Sequence, residues 1–223
     1  LQELLPEAII SCYDSYDDSQ LSHLLDWADV VCIGCGLGMG QISEKILENV
    51  LKNVSCPCVI DADGLNLLSR NIELLNQCCA PVILTPHMKE MSRLTGWSID
   101  TIMEDRFQAL DQIIKQSGPD TKSSIICVLK DSRTVVAQTN RQKFVNLAGN
   151  NSMAKGGSGD VLAGTIAGLL AQHMAPFEAT TVGVFLHACG GDEAKKSKGS
   201  YSVLARDLIQ GMADAMKNAK ECR

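Results

Sequence analysis

No run of about 18 consecutive apolar residues occurs in the 223-residue chain, so no membrane-spanning helix is expected. The most apolar stretch, residues 161–171, contains Thr165 and gives way to Gln172 and His173. The opening residues include Gln2 and Glu3 and lack a basic segment, so no secretory leader is expected. The chain starts at Leu1 rather than Met, and a trimmed, processed or omitted beginning is expected. Basic charge is in deficit, with 20 Lys and Arg against 26 Asp and Glu, a formal net charge of −6. A general nucleic-acid or anionic-membrane binder needs a basic face, so neither partner is expected; a local basic spot for one phosphate group remains compatible. Aromatic residues are scarce at 4%, yet 45% of the chain is apolar, which excludes a disordered polypeptide. No linker rich in Pro, Gly or Ser, no repeat and no low-complexity tract divides the chain, so one domain is expected.

Ten cysteines are too few for a disulfide scaffold of this length. Cys12, Cys32, Cys35, Cys127 and Cys189 lie in apolar runs, where Cys packs as a small hydrophobe. Among the closely spaced pairs, only Cys32-Ile33-Gly34-Cys35 has the spacing of a zinc knuckle or a redox pair, and no second C-x-x-C follows it. Packing is the expected role. Many unpaired thiols without a secretion signal point to a reducing cytoplasm.

Short apolar runs alternate with helical patterns. The runs at 30–33, 58–60, 81–84 and 125–129 read as strands buried on both faces, the mark of a parallel sheet. Helices are expected at 42–51, 89–95 and 101–116, and a hairpin at 134–137 and 143–146. Three long helices follow, at 159–174, 176–195 and 203–217, with residues 195–200 as a loop. The alternation implies an α/β fold with a doubly wound, mostly parallel sheet flanked by helices. Ligands of such sheets sit beyond the carboxyl ends of the strands. The residues there are glycines, Asp61 and Asp63, Thr85 and His87, and Lys130.

The segment Lys155-Gly156-Gly157-Ser158-Gly159-Asp160 carries the strongest signal. Its glycines free the backbone to turn N–H groups toward a common point, and the helix behind adds a positive end. That makes a cradle for phosphate or a developing oxyanion. Asp160 falls in the first helical turn, where a carboxylate suits deprotonation of a hydroxyl before phosphoryl transfer. The alternative is a plain helix cap on a glycine-rich loop. No Gly-Lys-Ser/Thr occurs, so this is no Walker A loop. Gly34-Cys35-Gly36-Leu37-Gly38-Met39-Gly40 misses the G-x-G-x-x-G spacing and reads as close approach of backbone to a ligand, or as a tight turn without one. Asp61-Ala62-Asp63-Gly64-Leu65-Asn66 could hold Mg²⁺ through water, orient a substrate, or cap a helix. In Thr85-Pro86-His87, Pro86 fits a first helical position and His87 is expected to point into the crevice, against a structural alternative. Lys130 ends its apolar run and reads as a phosphate contact or a solvated turn.

These residues, in this order, resemble the ADP/ATP-dependent NAD(P)H-hydrate dehydratase family of the ribokinase-like superfamily. The matching pieces are residues 34–40, 61–68, Thr85-Pro86-His87 with Glu90-Met91, Val128-Leu129-Lys130, and 149–168. The resemblance implies dehydration of (6S)-NAD(P)H hydrate at the expense of ADP or ATP with Mg²⁺, by phosphorylation of the 6-hydroxyl and elimination of phosphate. It implies Asp160 as the base and Gly157, Ser158 and Gly159 as the anion hole. Substrate contacts would come from Gly36, Gly38, Asp61, Asn66, His87 and Asp160. Nucleotide contacts would come from Lys130, Asp131, Ser132, Arg133, Thr134 and Gly159. No side chain is assigned as a metal ligand. A homo-oligomer, often a tetramer in the family, and a cytoplasmic location are also implied. Lys155 and Asp131 stand where the family usually has Thr and Gly; Lys155 could aid phosphate binding and Asp131 weaken it. The family also has a segment preceding the part that matches Leu4-Pro6-Glu7, with an Ala-Gly-Ser substrate contact, and its absence predicts an incomplete substrate site. Two other readings are a vitamin-type hydroxyl kinase acting on hydroxyethylthiazole, hydroxymethylpyrimidine or pyridoxal, and a non-catalytic dinucleotide-binding module.

Overall fold

The computed structural model describes residues 3, 5–115 and 124–221. Six strands form one sheet in the order β1-β2-β3-β4-β5-β6: Val31–Ile33, Cys58–Ile60, Val82–Leu84, Ile125–Leu129, Val135–Gln138 and Phe144–Val145. The first four run parallel, with Ile33 beside Ile60, Ile60 beside Leu84, and Leu84 beside Cys127. The last two are antiparallel, with Val136 opposite Phe144, which is the expected hairpin. Burial explains the composition of β2, β3 and β4. Every residue in them is buried, because helices cover both faces. β1 departs from the expectation. It lies at one end of the described sheet, and its Cys32 is exposed.

One apolar layer packs Ile33, Cys58, Ile60, Leu84 and Cys127 against α2 (Gln41–Asn53), α4 (Met88–Thr95) and α6 (Arg106–Ile114). The other packs Val59, Ile83, Ile126 and Val128 against α7 (Ser158–Ala171) and α8 (Pro176–Lys198). α9 (Ala205–Glu221) lies along α8. This is the expected single α/β unit.

Several boundaries moved for local reasons. The helix expected over 101–116 is two, α5 (Ile99–Glu104) and α6, and its expected end at Gln116 lies outside the described residues, as do Leu1, Gln2 and Leu4. Asp105 breaks the helix: its backbone leaves the helical region (φ −142, ψ 86), and its carboxylate accepts from Gln108 N at 2.9 Å, capping the second helix. α7 stops at Ala171, short of 174, and His173 takes a left-handed φ of 62. α8 runs through 196–198, which had been expected as loop, and stops at Gly199. Two short helices were not anticipated, α1 (Asp18–Trp27), capped by Asp17, and α3 (Asp63–Leu68).

Candidate active site

Parallel pairing puts the carboxyl ends of β1 to β4 on one edge. Gly34, Asp61 and Thr85 follow directly from the aligned Ile33, Ile60 and Leu84. Lys130 joins them because its N–H donates to the Pro86 carbonyl at 2.8 Å. Gly34 is obligatory. A Cβ there would lie 1.8 Å from the Asp61 carbonyl oxygen, and φ is +121. Asp61 is almost fully buried, and its Oδ1 accepts from Lys130 Nζ at 2.6 Å. The ion pair lies against the start of α7: a Cβ on Gly159 would come 3.1 Å from Lys130 Nζ and 3.4 Å from Asp61 Oδ2.

Gly157 is the N-cap of α7, and its φ of +85 turns the chain into the helix. Ser158 N–H donates to the Lys155 carbonyl at 3.2 Å, and Val161 N–H to the Gly157 carbonyl at 3.1 Å. The amides of Gly159 and Asp160 have no acceptor among the described residues, as expected of a helix start. They narrow the expected cradle, because the Ser158 amide is already used. The Ser158 hydroxyl turns away toward α8, 3.3 Å from His187 Nε2. Burial pushes the His187 imidazole down to about 4, so it is neutral.

Asp160 faces the strand ends. One of its carboxylate oxygens, one from Asp61 and the Cys35 sulfur all lie within 4.8 Å of one another. The Cys35 thiol is pushed well up by its hydrogen bond to Cys32, by burial and by Asp160. Cys32 is held lower than an ordinary thiol because Cys35 donates to it. Both thiols are exposed, so the packing role expected for them does not hold.

The other expected contacts divide. Gly36 and Gly38 take left-handed backbone (φ 72 and 81), and Gly38 N–H donates to Asp63 Oδ2 at 2.8 Å, so Asp63 shapes the glycine turn. His87 is the N-cap of α4, which puts Pro86 one residue before the cap and not in the first helical position. The His87 Nδ1 accepts from Lys89 N and Glu90 N at 3.0 and 3.2 Å, and its Nε2 lies 3.5 Å from Glu90 Oε1 on a side chain that stays half-exposed. Asn66 accepts from Arg93 Nη1 at 2.6 Å. Thr85 is fully buried. The stretch 130–134 splits. Lys130 turns in to Asp61, while Asp131 pairs with Arg106 at 2.9 Å and the Thr134 hydroxyl donates to the Asp131 carbonyl at 3.3 Å. Ser132 and Arg133 are exposed, and Arg133 lines a shallow pocket with Glu104, Arg106 and Phe107. Lys155 reaches the Tyr201 carbonyl at 3.0 Å and not the cradle.

Sequence reasoning missed two supports. Asp192 on α8 accepts from Gly149 N at 3.1 Å and Asn150 Nδ2 at 2.7 Å, pinning the loop that leads into α7. His187 does the same for Ser158. Both lie in a helix that reads as plain core, and the only cue was polar side chains among small residues.

Residues 1–213 match the family model described as NAD(P)H-hydrate dehydratase. The chain belongs to that family. It is 35% identical over 222 residues to the ADP-dependent (S)-NAD(P)H-hydrate dehydratase of Neisseria meningitidis, covering 97% of this chain and 73% of that protein. It is 36% identical over 193 residues to the bifunctional NAD(P)H-hydrate repair enzyme Nnr of Moorella thermoacetica, covering 86% of this chain but 35% of that enzyme. The chain thus spans little more than a third of that bifunctional relative. Among solved structures, the ADP/ATP-dependent NAD(P)H-hydrate dehydratase of Bacillus subtilis, co-crystallised with ATP/Mg²⁺ and soaked with CoA, superposes with a TM-score of 0.80 at 28% identity, over 97% of this chain and 76% of that one. A hydroxyethylthiazole kinase of Pyrococcus horikoshii, 16% identical with a TM-score of 0.68, shares the ribokinase-like fold.

Proposed function

We propose that the chain dehydrates (6S)-NADH and (6S)-NADPH hydrate using ATP or ADP as phosphoryl donor. The observation that carries this is Asp160, whose carboxylate stands in the first turn of α7 and meets the strand-end crevice within 4.8 Å of Asp61 and Cys35. In this reading Asp160 takes the proton of the 6-hydroxyl as that oxygen attacks the terminal phosphorus of the nucleotide. The amides of Gly159 and Asp160, with the positive end of α7, receive the charge of the transferring group. Gly157 sets the turn that aims them, and Ser158 ties it to His187. The Lys130–Asp61 pair lies under the same turn and presents the lysine ammonium there, its charge balanced by the Asp61 carboxylate. Phosphate then departs and the ring double bond returns, a poor leaving group having been replaced by a good one.

Gly36, Gly38 and the Nε2 side of His87 remain the proposed substrate wall. Asn66 and Asp61 act there through the groups they already bind. Asp131, Ser132, Arg133 and Thr134 remain the proposed nucleotide side, beside the pocket shared with Arg106. Mg²⁺ fits as an ion carried on the nucleotide phosphates, since it keeps waters and needs few protein oxygens. Asp61 is already neutralised by Lys130, so its reach to the ion would run through water. When bound, Mg²⁺ supplies charge neutralisation on the transferring phosphates. A homo-oligomer and a cytoplasmic location complete the proposal. No helix among the described residues is long and apolar enough to cross a membrane.

Hydrated NADH with Mg²⁺ and ATP or ADP should regain the near-ultraviolet absorbance of the reduced ring. Asp160→Asn should lower that rate by roughly 10² to 10⁴ with an unchanged circular-dichroism spectrum. Full turnover in the variant rejects the base. No turnover by the wild type, alongside phosphorylation of hydroxyethylthiazole, hydroxymethylpyrimidine or pyridoxal, gives the site to a vitamin-type kinase.

A further inference from the structure

The reaction proposed above makes no use of Cys32. It is the middle residue of β1 and pairs in register with Val59. Val59 packs in the layer beneath α7, with Leu162, Ala163 and Ile166. Side chains directly opposite each other share a face, so Cys32 lies on the α7 side of the sheet. The chain then bends at Gly34 and brings Cys35 back to that side, three residues on from Cys32, where its sulfur lies within 4.8 Å of an Asp160 carboxylate oxygen at the start of α7. The two thiols are free and exposed, as are Cys12 and Cys79, whereas Cys58, Cys78 and Cys127 are buried. Lys130 already neutralises Asp61 at 2.6 Å, which disfavours a cation held among Cys35, Asp61 and Asp160.

We infer that Cys32 and Cys35 form an oxidisable dithiol site, whose closure to a disulfide draws Cys35 away from Asp160 and suppresses turnover. The loss of turnover rests on the reading of Asp160 as the base; the modification site does not. The oxidant is a peroxide. The Cys32 sulfur attacks one oxygen of H₂O₂, the O–O bond breaks, and hydroxide leaves to become water with the thiol proton. The Cys35 sulfur then attacks the Cys32 sulfur, the S–O bond breaks, and a second water leaves with the Cys35 proton. Two thiols lose two electrons and two protons, and one peroxide becomes two waters. Cys32 is the first nucleophile because it is the lower-shifted of the two thiols.

The 223-residue chain, treated with one equivalent of H₂O₂, alkylated and digested, should yield a peptide in which Cys32 and Cys35 are joined. Turnover should fall roughly tenfold or more and return with dithiothreitol. Cys32→Ser should keep its turnover and resist the same treatment. Free, alkylated Cys32 and Cys35 in an oxidised, inactive sample would overturn the site. A joined pair with unchanged turnover would overturn its effect on Asp160. A joined pair in a chain whose reduced form has no dehydratase activity would leave the site standing and reject the function instead.

Discussion

His187 shows how a single buried side chain sets both geometry and pH response. It is 8% exposed, neutral, and placed against the hydroxyl that opens α7. Its ordinary value of 6.5 falls to about 4 in the folded chain, chiefly through burial. Between those values the unfolded chain binds the proton and the native one does not. The contribution to stability is therefore complete above 6.5 and is lost as pH falls toward 4, by about 3 kcal/mol. Urea midpoints of the wild type and His187→Gln, measured from neutral pH downward, should converge by that order across the window. A constant difference would show that the imidazole is not held neutral. At this scale, the place of Asp160 in the first turn of α7 was legible, because a Gly-Ser-Gly turn ahead of a helical pattern marks the helix start. The Ser158–His187 and Asp192–Asn150 contacts were not, because their partners lie 29 and 42 residues apart in sequence.

Elements are fixed by what their ends touch. Gly34 and Gly36 both take left-handed φ, but only Gly34 has the Asp61 backbone against it; Gly36 has open space. Gly36→Ala should cost about 1–2 kcal/mol of backbone strain alone. Gly34→Ala adds a backbone clash and should cost clearly more, with the β1–α2 turn displaced. Equal urea midpoints for the two variants would contradict the close approach of β1 and β2 at this point. The split of α5 from α6 shows the limit of periodicity. The apolar pattern over 101–116 is continuous, and Asp105 reads as an ordinary polar position until its carboxylate is seen to cap the second half. β1 shows the converse. Its apolar run resembles β2 and β3, yet its place at one end of the described sheet leaves Cys32 exposed.

At the scale of the whole molecule, the two apolar layers share one sheet, each strand contributing alternate side chains to either side. Such a core should unfold as a unit. Far-ultraviolet circular dichroism and the fluorescence of Trp27 and Trp97 should give coincident urea transitions. Separate transitions would mean that the α7–α9 side melts on its own. Sequence patterning was enough for the strands, the hairpin, the long helices and the position of Asp160 at the start of α7, because periodicity, turn residues and glycine spacing are local. Only the folded chain decided that Lys130 turns toward Asp61 while Asp131 turns to Arg106, that His87 spends one nitrogen on a helix cap, and that Cys35 reaches Asp160. Those outcomes depend on strand register and helix placement, which bring together charges and thiols far apart along the chain and so leave no periodic trace in it.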